Sequence, residues 1–332
     1  MNDKNSDQLQ YFEYDLIRNV RLESLNEEKI AHAKNGQFDY TAYDPESGIG
    51  LTEAKGRRQS QEDRSDFDVS PELMELNDQQ LKAVLIKTFD YVQQRYGSTY
   101  ESGATLVTAL FQKNKLYIAN IGDSNAILLL MDQHKNIICQ RLNVLHNPST
   151  PSEYEYIMKN EGYIQHDRLG GMLAVSRAIG DNDFEQYGLR HTPDIFVIDL
   201  SKGNDEYNNQ IIKPNHKILG LLLACDGLHE EDSELLNMSE RIKQYIDENH
   251  LDDIDQIQLN TQQISQLLVY GAYDDGSYDN LTAMLIPLNV NLTSVIIAMV
   301  ADGHGGSEVA EALGKNFIPF LIKNVRQQKA KK

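Results

Sequence analysis

The chain has 332 residues, 40% hydrophobic and 24% charged, enough to bury a large core as one big domain or two modest ones. Its 31 basic and 50 acidic residues leave a formal net charge of −19, which repels phosphate backbones and anionic lipid and argues against nucleic acid as a partner. The two cysteines, Cys139 and Cys225, lie inside apolar runs and read as core thiols of a reducing compartment rather than a disulfide.

In chain order, residues 1–46 are polar, open without a secretory apolar segment, and offer a helix over 9–32 but no chemistry. From "GIGLTEAKG" (48–56) onward, short runs rich in Val, Ile and Leu recur between Gly, Asn and Asp. They are "ATLVTALF", "KLYIANI", "NAILLLM", "NIICQRL", "DIFVIDL", "KILGLLLAC", "LTAMLIPL" and "SVIIAMVA", each predicted as a strand. Leu81, Val84, Leu85, Phe89, Val92 and Tyr96 recur at helical spacing, with Asn77 as N-cap and Gly97 as the stop. "SEYE" (152–155) predicts a capping box pairing Ser152 with Glu155, in a helix that Gly162 ends. A last helix follows Ser307, its stripe made by Val309, Leu313, Phe317, Phe320 and Leu321. The apolar window 281–301 holds Pro287, Asn289 and Asn291 at its centre, which suits two buried strands joined by "PLNVN" better than a membrane span. A soluble, cytoplasmic chain is therefore expected. Strands and helices do not alternate regularly, which predicts an α+β fold, sheets covered by helices on their outer faces, rather than a doubly wound parallel sheet. The expected divisions are an extension over 1–46, one domain over 47–326 and a basic tail over 327–332.

The acids share a placement. Asp226 follows "LGLLLAC", Asp302 follows "VIIAMVA", Asp279 precedes "LTAML", Asp123 stands in "IANIGDSN", and Glu62 and Asp63 end "GRRQSQED". Singly, each is an ordinary turn former. Together they are five or six carboxylates at strand ends, which would repel one another if they met at one sheet edge without a cation. Mg²⁺ or Mn²⁺ would relieve that repulsion, since both favour oxygen ligands, and Gly303 would let its carbonyl approach an ion unhindered. Two such ions about 3.5–4 Å apart can bridge a water, lower its pKa and clamp phosphoryl oxygens for in-line displacement. Arg58 would take the remaining phosphate oxygens through its planar fork, and His304 would protonate the leaving group.

Seven segments carry a resemblance: "RRQSQED", "SGATLVTAL", "LYIANIGDSNAIL", "GGMLAVSRAIGD", "LLLACDGL", "GSYDNLTAML" and "VADGHGG". Each is similar to a motif of the metal-dependent serine/threonine protein phosphatases of the type 2C family, over roughly residues 48–325. The resemblance implies two central antiparallel β-sheets packed as a sandwich and flanked by antiparallel helices. It implies an enzyme that hydrolyses phosphoserine and phosphothreonine in phosphoprotein substrates with a Mg²⁺ or Mn²⁺ pair and no phosphoenzyme. Carried over by motif, Asp302 would bridge both ions, the Gly303 carbonyl would bind one, and Asp226 and Asp279 would hold the other. Glu62 would be a further ligand, with Asp63 behind it or closer. Arg58 matches the phosphate-binding arginine and His304 the proposed general acid. Asp123, Asp226 and Glu230 resemble a weaker third site, in which Glu230 stands where Asp is common. Residues 145–171 resemble the flap that influences substrate choice.

Three departures stand out. Asn125 replaces the arginine often found after "GDS", and Gln61 and His229 replace other residues common in the family. Most serious is order: in the family the "DGHGG" turn and its helix precede "SGAT", whereas here they come last, over 293–325. "PLNVNLT" (287–293), about 20–25 Å when extended, would carry that strand-turn-helix to its slot in the same chain. The expectation is a monomer, with a segment-swapped dimer as the alternative. A catalytically silent binding protein is the competing reading. A Gly-loop nucleotide binder is the weakest, since neither a P-loop nor G-x-G-x-x-G spacing is present.

Overall fold

A computed structural model describes residues 40–45, 47–70, 76–206, 209–228, 232–251, 253–288 and 295–330. The helix expected over 9–32, Glu230, His229 and most of "PLNVN" lie outside these residues. Two six-stranded antiparallel sheets face each other. The first runs, edge to edge, β1 (Tyr40–Asp44), β2 (Ile49–Ala54), β15 (Leu281–Ile286), β14 (Lys217–Ala224), β7 (Asn125–Met131) and β8 (Ile137–Arg141). The second runs β13 (Asn204–Asp205), β12 (Asp194–Asp199), β6 (Lys115–Ile121), β5 (Leu106–Gln112), β16 (Val295–Ala301) and β3 (Arg64–Ser70).

The strands read as continuous apolar runs because both their faces are covered. In β5, Val107, Ala109 and Phe111 point into the core between the sheets, while Leu106 and Leu110 point outward under helices. β16 divides the same way: Ile296, Ala298 and Val300 face the other sheet, and Val295, Ile297, Met299 and Ala301 face helices. Those helices are α1 (Asp78–Val92) and α6 (Glu308–Ala330), joined by an edge-to-face pair between Phe89 and Phe317 with centroids 5.2 Å apart. The other sheet is covered by α3 (Asp232–Glu248), α4 (Ile254–Gln258) and α5 (Thr261–Asp274). Between β8 and β12 lies a smaller lobe with α2 (Pro151–Lys159) and the hairpin β9 (Ile164–Gln165)–β10 (Arg168–Leu169), packed around Ile157, Leu169, Val175, Ala178 and Leu189. Among the described residues, no helix is long and apolar enough to cross a membrane.

The strand β16, late in the chain, is not an edge strand. β16 lies between β3 and β5, with Val300 opposite both Ser65 and Val107. Without residues 295–301 the edge strand β3 would therefore be cut off from the rest of this sheet. The α6 stripe predicted at Val309, Leu313, Phe317, Phe320 and Leu321 is buried throughout.

Three local expectations need correction. The domain starts before residue 47: Tyr40–Asp44 pairs with β2 through a turn in which the Ser47 amide and hydroxyl donate to the buried Asp44 carboxylate. "SEYE" makes no capping box. Helix α2 begins two residues earlier, with Pro151 at its first position and Thr150 as N-cap, because proline's fixed φ suits that site and the amide it lacks is one the helix cannot use. Thr150 donates its hydroxyl to the Leu145 carbonyl instead. The basic tail is also not separate from the domain, since α6 continues to Ala330. At α1 the N-cap prediction is met, Asn77 and Gln80 forming a reciprocal capping box, although the helix widens into a π-turn over Gln93–Gly97 before stopping.

Candidate metal centre and cleft

Antiparallel pairing brings the strand-end acids together. β14 ends where its neighbour β15 begins, with Ala224 opposite Ala283, so Asp226 and Asp279 emerge side by side. From the facing sheet, β16 delivers Asp302 and β6 leads into Asp123, while Glu62 enters β3. Glu62, Asp123, Asp226, Asp279, Asp302, Gly303, Arg58 and His304 all line one cleft of about 1010 Å³. Asp63 sits behind it, fully buried.

The carboxylates are crowded and underpaired. Asp226 and Asp302 are within hydrogen-bonding reach of each other. Oxygens of Asp63 and Asp302 and the Cys225 sulfur all lie within 4.8 Å of one another. Thr282 donates its hydroxyl to Asp63 Oδ2 at 2.7 Å, but Asp63 Oδ1 and Asp226 Oδ1 are shut off from solvent and accept no hydrogen bond. Burial raises the pKa of all three acids. For Asp302 the charges of Asp63 and Asp226 add to it, for Asp226 that of Asp279, and Asp63 is pushed up to about 7. Orphaned buried carboxylate oxygens mark a place that wants a cation, and an oxygen-dominated donor set fits a hard divalent ion. Cys225 does not join that set: burial and the neighbouring acids keep its thiol protonated, donating to the Asn280 carbonyl and accepting from the Thr282 amide.

Glycine is needed at two of these turns for contact rather than flexibility. A Cβ on Gly303 would lie 2.7 Å from the Glu62 carbonyl oxygen, and one on Gly227 would lie 2.1 Å from that of Asn280. Either would push a ligand-bearing loop away from its neighbour. The loop carrying Arg58 and Glu62 is held from the other side by Asn280. Its amide nitrogen donates to the carbonyls of Lys55 and Ser60, and its carbonyl oxygen accepts from the Glu62 amide at 2.8 Å. Arg58 is largely exposed and pairs with Asp279 at 2.6 Å, a bond that holds its guanidinium at the cleft mouth and strengthens its positive charge.

His304 is set by a small sheet of its own. β4 (Gly103–Ala104) pairs on one side with β17 (Gly303–His304) and on the other with β11 (Ile179–Gly180). This places Asp181 beside the imidazole, 2.5 Å from Nε2. Burial lowers the pKa of His304, but the Asp181 hydrogen bond and the charges of Asp181, Asp123 and Asp226 more than offset it, and the ring favours its charged form.

The lobe beside the cleft is anchored by buried charge. Glu153 of α2 is 1% exposed and accepts four hydrogen bonds: from Arg177 Nη2 and Arg190 Nη2 at 2.6 Å each, from Ser176 Oγ at 2.9 Å and from Arg177 Nε at 3.0 Å. Arg177 also donates to Asp194 Oδ1 at 2.7 Å, and Asp194 Oδ2 meets His146 Nε2 at 3.1 Å. The Gly122 amide donates to His146 Nδ1, which fixes Nε2 as the protonated nitrogen. The flap is thus tied through Glu153, Arg177, Asp194 and His146 to the residue preceding Asp123.

Several of these parts carry little signal of their own in the sequence. Asn280, Asp181, Thr282 and the Glu153 network act across long sequence separations, and the only signals for them were the "DN" and "GD" pairs inside motifs singled out for other residues. Cys225 is buried as a core thiol, as expected, with its sulfur within 4.8 Å of oxygens of Asp63 and Asp302. Asn125, where arginine was noted as missing, accepts from Arg141 Nε at 2.9 Å.

The comparisons agree with this geometry. The family "Protein phosphatase 2C" matches residues 23–281, a stretch that ends before Asp302. Integrin-linked kinase-associated serine/threonine phosphatase 2C of Bos taurus is 32% identical over 156 residues, 45% of this chain and 38% of its own length. Protein phosphatase 2C 1 of Paramecium tetraurelia is 31% identical over 143 residues, 43% of each chain. The matched regions thus span less than half of either relative. A crystal structure of a phosphatase from a pathogenic strain of Toxoplasma gondii shares the fold with a TM-score of 0.53 at 18% identity, covering 77% of this chain and 95% of that one. With a family match over most of its length and the two-sheet sandwich around a carboxylate cleft, the chain belongs to the protein phosphatase 2C family.

Proposed function

We infer that the chain is a divalent-metal-dependent hydrolase of phosphoserine and phosphothreonine in proteins. The observation that carries this reading is the meeting of Asp226, Asp279, Asp302 and Glu62 at one cleft with two buried carboxylate oxygens left without partners. Asp226, Asp279, Asp302, Glu62 and the Gly303 carbonyl would hold Mg²⁺ or Mn²⁺, with Asp123 and Glu230 as the candidates for a weaker third position. A bound pair would supply charge neutralisation for the phosphoryl oxygens and a water acidified enough to attack at neutral pH. Arg58 would release Asp279 and turn its fork to the phosphate, a small movement for a side chain 57% exposed. His304 would give a proton to the departing serine or threonine oxygen.

Two outcomes test this. Hydrolysis of p-nitrophenyl phosphate and of a phosphothreonine peptide is expected to need Mn²⁺ or Mg²⁺, to vanish in EDTA and to return when metal is restored. Unchanged turnover in EDTA would remove the metal from the reading. The seating of β16 between β3 and β5 supports docking of residues 295–330 in cis. Specific activity is then expected to stay constant on dilution to nanomolar protein, with a monomeric mass. Activity that falls with dilution alongside a dimeric mass would instead indicate exchange between copies.

A further inference from the structure

Asp226 and Asp279 line more than the acid cleft. They also form one wall of a second groove of about 720 Å³, which opens between α3 and α5. Its floor is apolar: Leu228, Met238 and Leu268 are buried there and belong to the core beneath the helices. Its rim is acidic, with Glu234 in the first turn of α3 and Asp275 just past the end of α5. Among the described residues, Arg241 is the one base lining the groove, and it is already engaged. It lies across Gly271, where a Cβ would sit 2.4 Å from Nη1, and its Nη2 donates to the two Asp275 oxygens at 2.5 and 2.6 Å. The Asp275 side chain is still 55% exposed, and a carboxylate has lone pairs for further donors.

The lip between groove and cleft is preorganised. Tyr278, next to Asp279, is 77% exposed, yet its ring is backed by Arg57. The Arg57 guanidinium lies 4.1 Å from the Tyr273 ring centroid and 5.4 Å from that of Tyr278. Arg57 also donates to the Ser277 carbonyl, and Ser277 donates its hydroxyl to the Gly227 carbonyl at 2.9 Å. An aromatic ring displayed on a turn fixed in this way offers contact area to a passing chain at little entropic cost.

We propose that this groove is the subsite for a lysine or arginine that flanks the phosphorylated residue, on the side of the peptide that crosses Tyr278. The aliphatic stem lies on Leu228, Met238 and Leu268, and the charged end meets Asp275 and Glu234. An apolar side chain would cover the floor but strip water from the rim carboxylates without replacing it, and an acidic one would be repelled. The subsite rests on the phosphatase reading above and narrows its substrates to phosphoproteins with a basic residue close to the phosphorylated one.

A panel of phosphothreonine peptides tests this, each with alanine around the phosphorylated residue except for a single lysine or glutamate at one of the four positions on either side. At saturating Mn²⁺, lysine at one position is expected to raise kcat/KM about 10-fold over alanine, and glutamate there to lower it. The lysine-to-alanine ratio, measured within each protein, is expected to fall to about one in Glu234→Lys. It is expected to persist in Glu240→Lys, exposed on the same helix but outside the groove. A wild-type panel flat at every position overturns the proposal and needs no variant to fold. A preference that survives Glu234→Lys overturns it too. So does one that Glu240→Lys removes equally, since that would show only the pull of a chain with net charge −19. Hydrolysis of p-nitrophenyl phosphate separates the two readings. A wild type active on it with a flat peptide panel loses the groove alone, whereas one inert toward it and every peptide brings down the phosphatase reading and this subsite with it.

Discussion

Asp302→Ala is expected to lower Mn²⁺-supported hydrolysis of p-nitrophenyl phosphate by about 10³-fold or more. On the proposed reading Asp302 would be shared by two ions and support charge stabilisation worth several kcal/mol, and each 1.4 kcal/mol is a factor of ten. Asp302 stands between Asp226, within hydrogen-bonding reach, and the buried Asp63. The same substitution is expected to leave the metal-free protein as stable as before or more so, because it removes one of three like charges from a desolvated cluster. Loss of activity together with an unchanged or higher urea midpoint in EDTA is the signature of a functional ligand. Loss of both would mean that Asp302 was holding the fold, and full activity would place the "DGHGG" turn outside the site.

Glu153→Ala is expected to destabilise the protein by about 3 kcal/mol, because buried Arg177 would lose one of its two carboxylate partners, keeping only Asp194, and the part-buried Arg190 would lose its ion pair with Glu153. For a chain of this size that is a melting shift of roughly 5–10 °C. The network also predicts acid sensitivity with a definite sign. Burial alone would raise the Glu153 pKa, but the two arginines hold it down at about 2 against an ordinary 4.5. Its contribution is therefore complete above pH 4.5 and lost as pH falls toward 2, about 3 kcal/mol in all. Asp194 is depressed in the same direction by His146 and Arg177, despite its burial. His146 is buried and prefers to stay neutral, so the unfolded chain takes up a proton there first as pH falls below 6.5, and stability declines in that window too. Urea midpoints at pH 7.5, 5.5 and 3.5 check this. Glu153→Gln should flatten the lower part of the curve and leave the His146 part intact. A wild-type midpoint that holds steady down to pH 3.5 would contradict the assignment.

The parts of the fold that could be read from sequence were those whose cause is local. "KLYIANI", "NAILLLM" and "DIFVIDL" are strands because a β-rich run bounded by turn formers leaves little else possible, and Asn77 caps α1 through a residue three positions on. The acids were legible because position at a strand end is itself a local property. What could not be read depends on partners far away. Glu153 looked like part of a helix start, and only the fold shows it turned inward to arginines 24 and 37 residues later. Asp181 and Asn280 likewise look like turn residues until β4 and the "GRRQSQED" loop are seen against them. The strand β1 was missed because "YTAYD" is short and half polar, and its reason for being a strand is β2.

The place of β16 has a consequence for biosynthesis. During translation β3 and β5 emerge long before the strand that separates them, so the nascent chain carries two unpaired interior edges until residues 295–301 have left the ribosome. Asp302, Gly303 and His304 arrive with that segment. Until residues 295–304 have emerged, the second sheet stays open and the acid cleft lacks Asp302, Gly303 and His304.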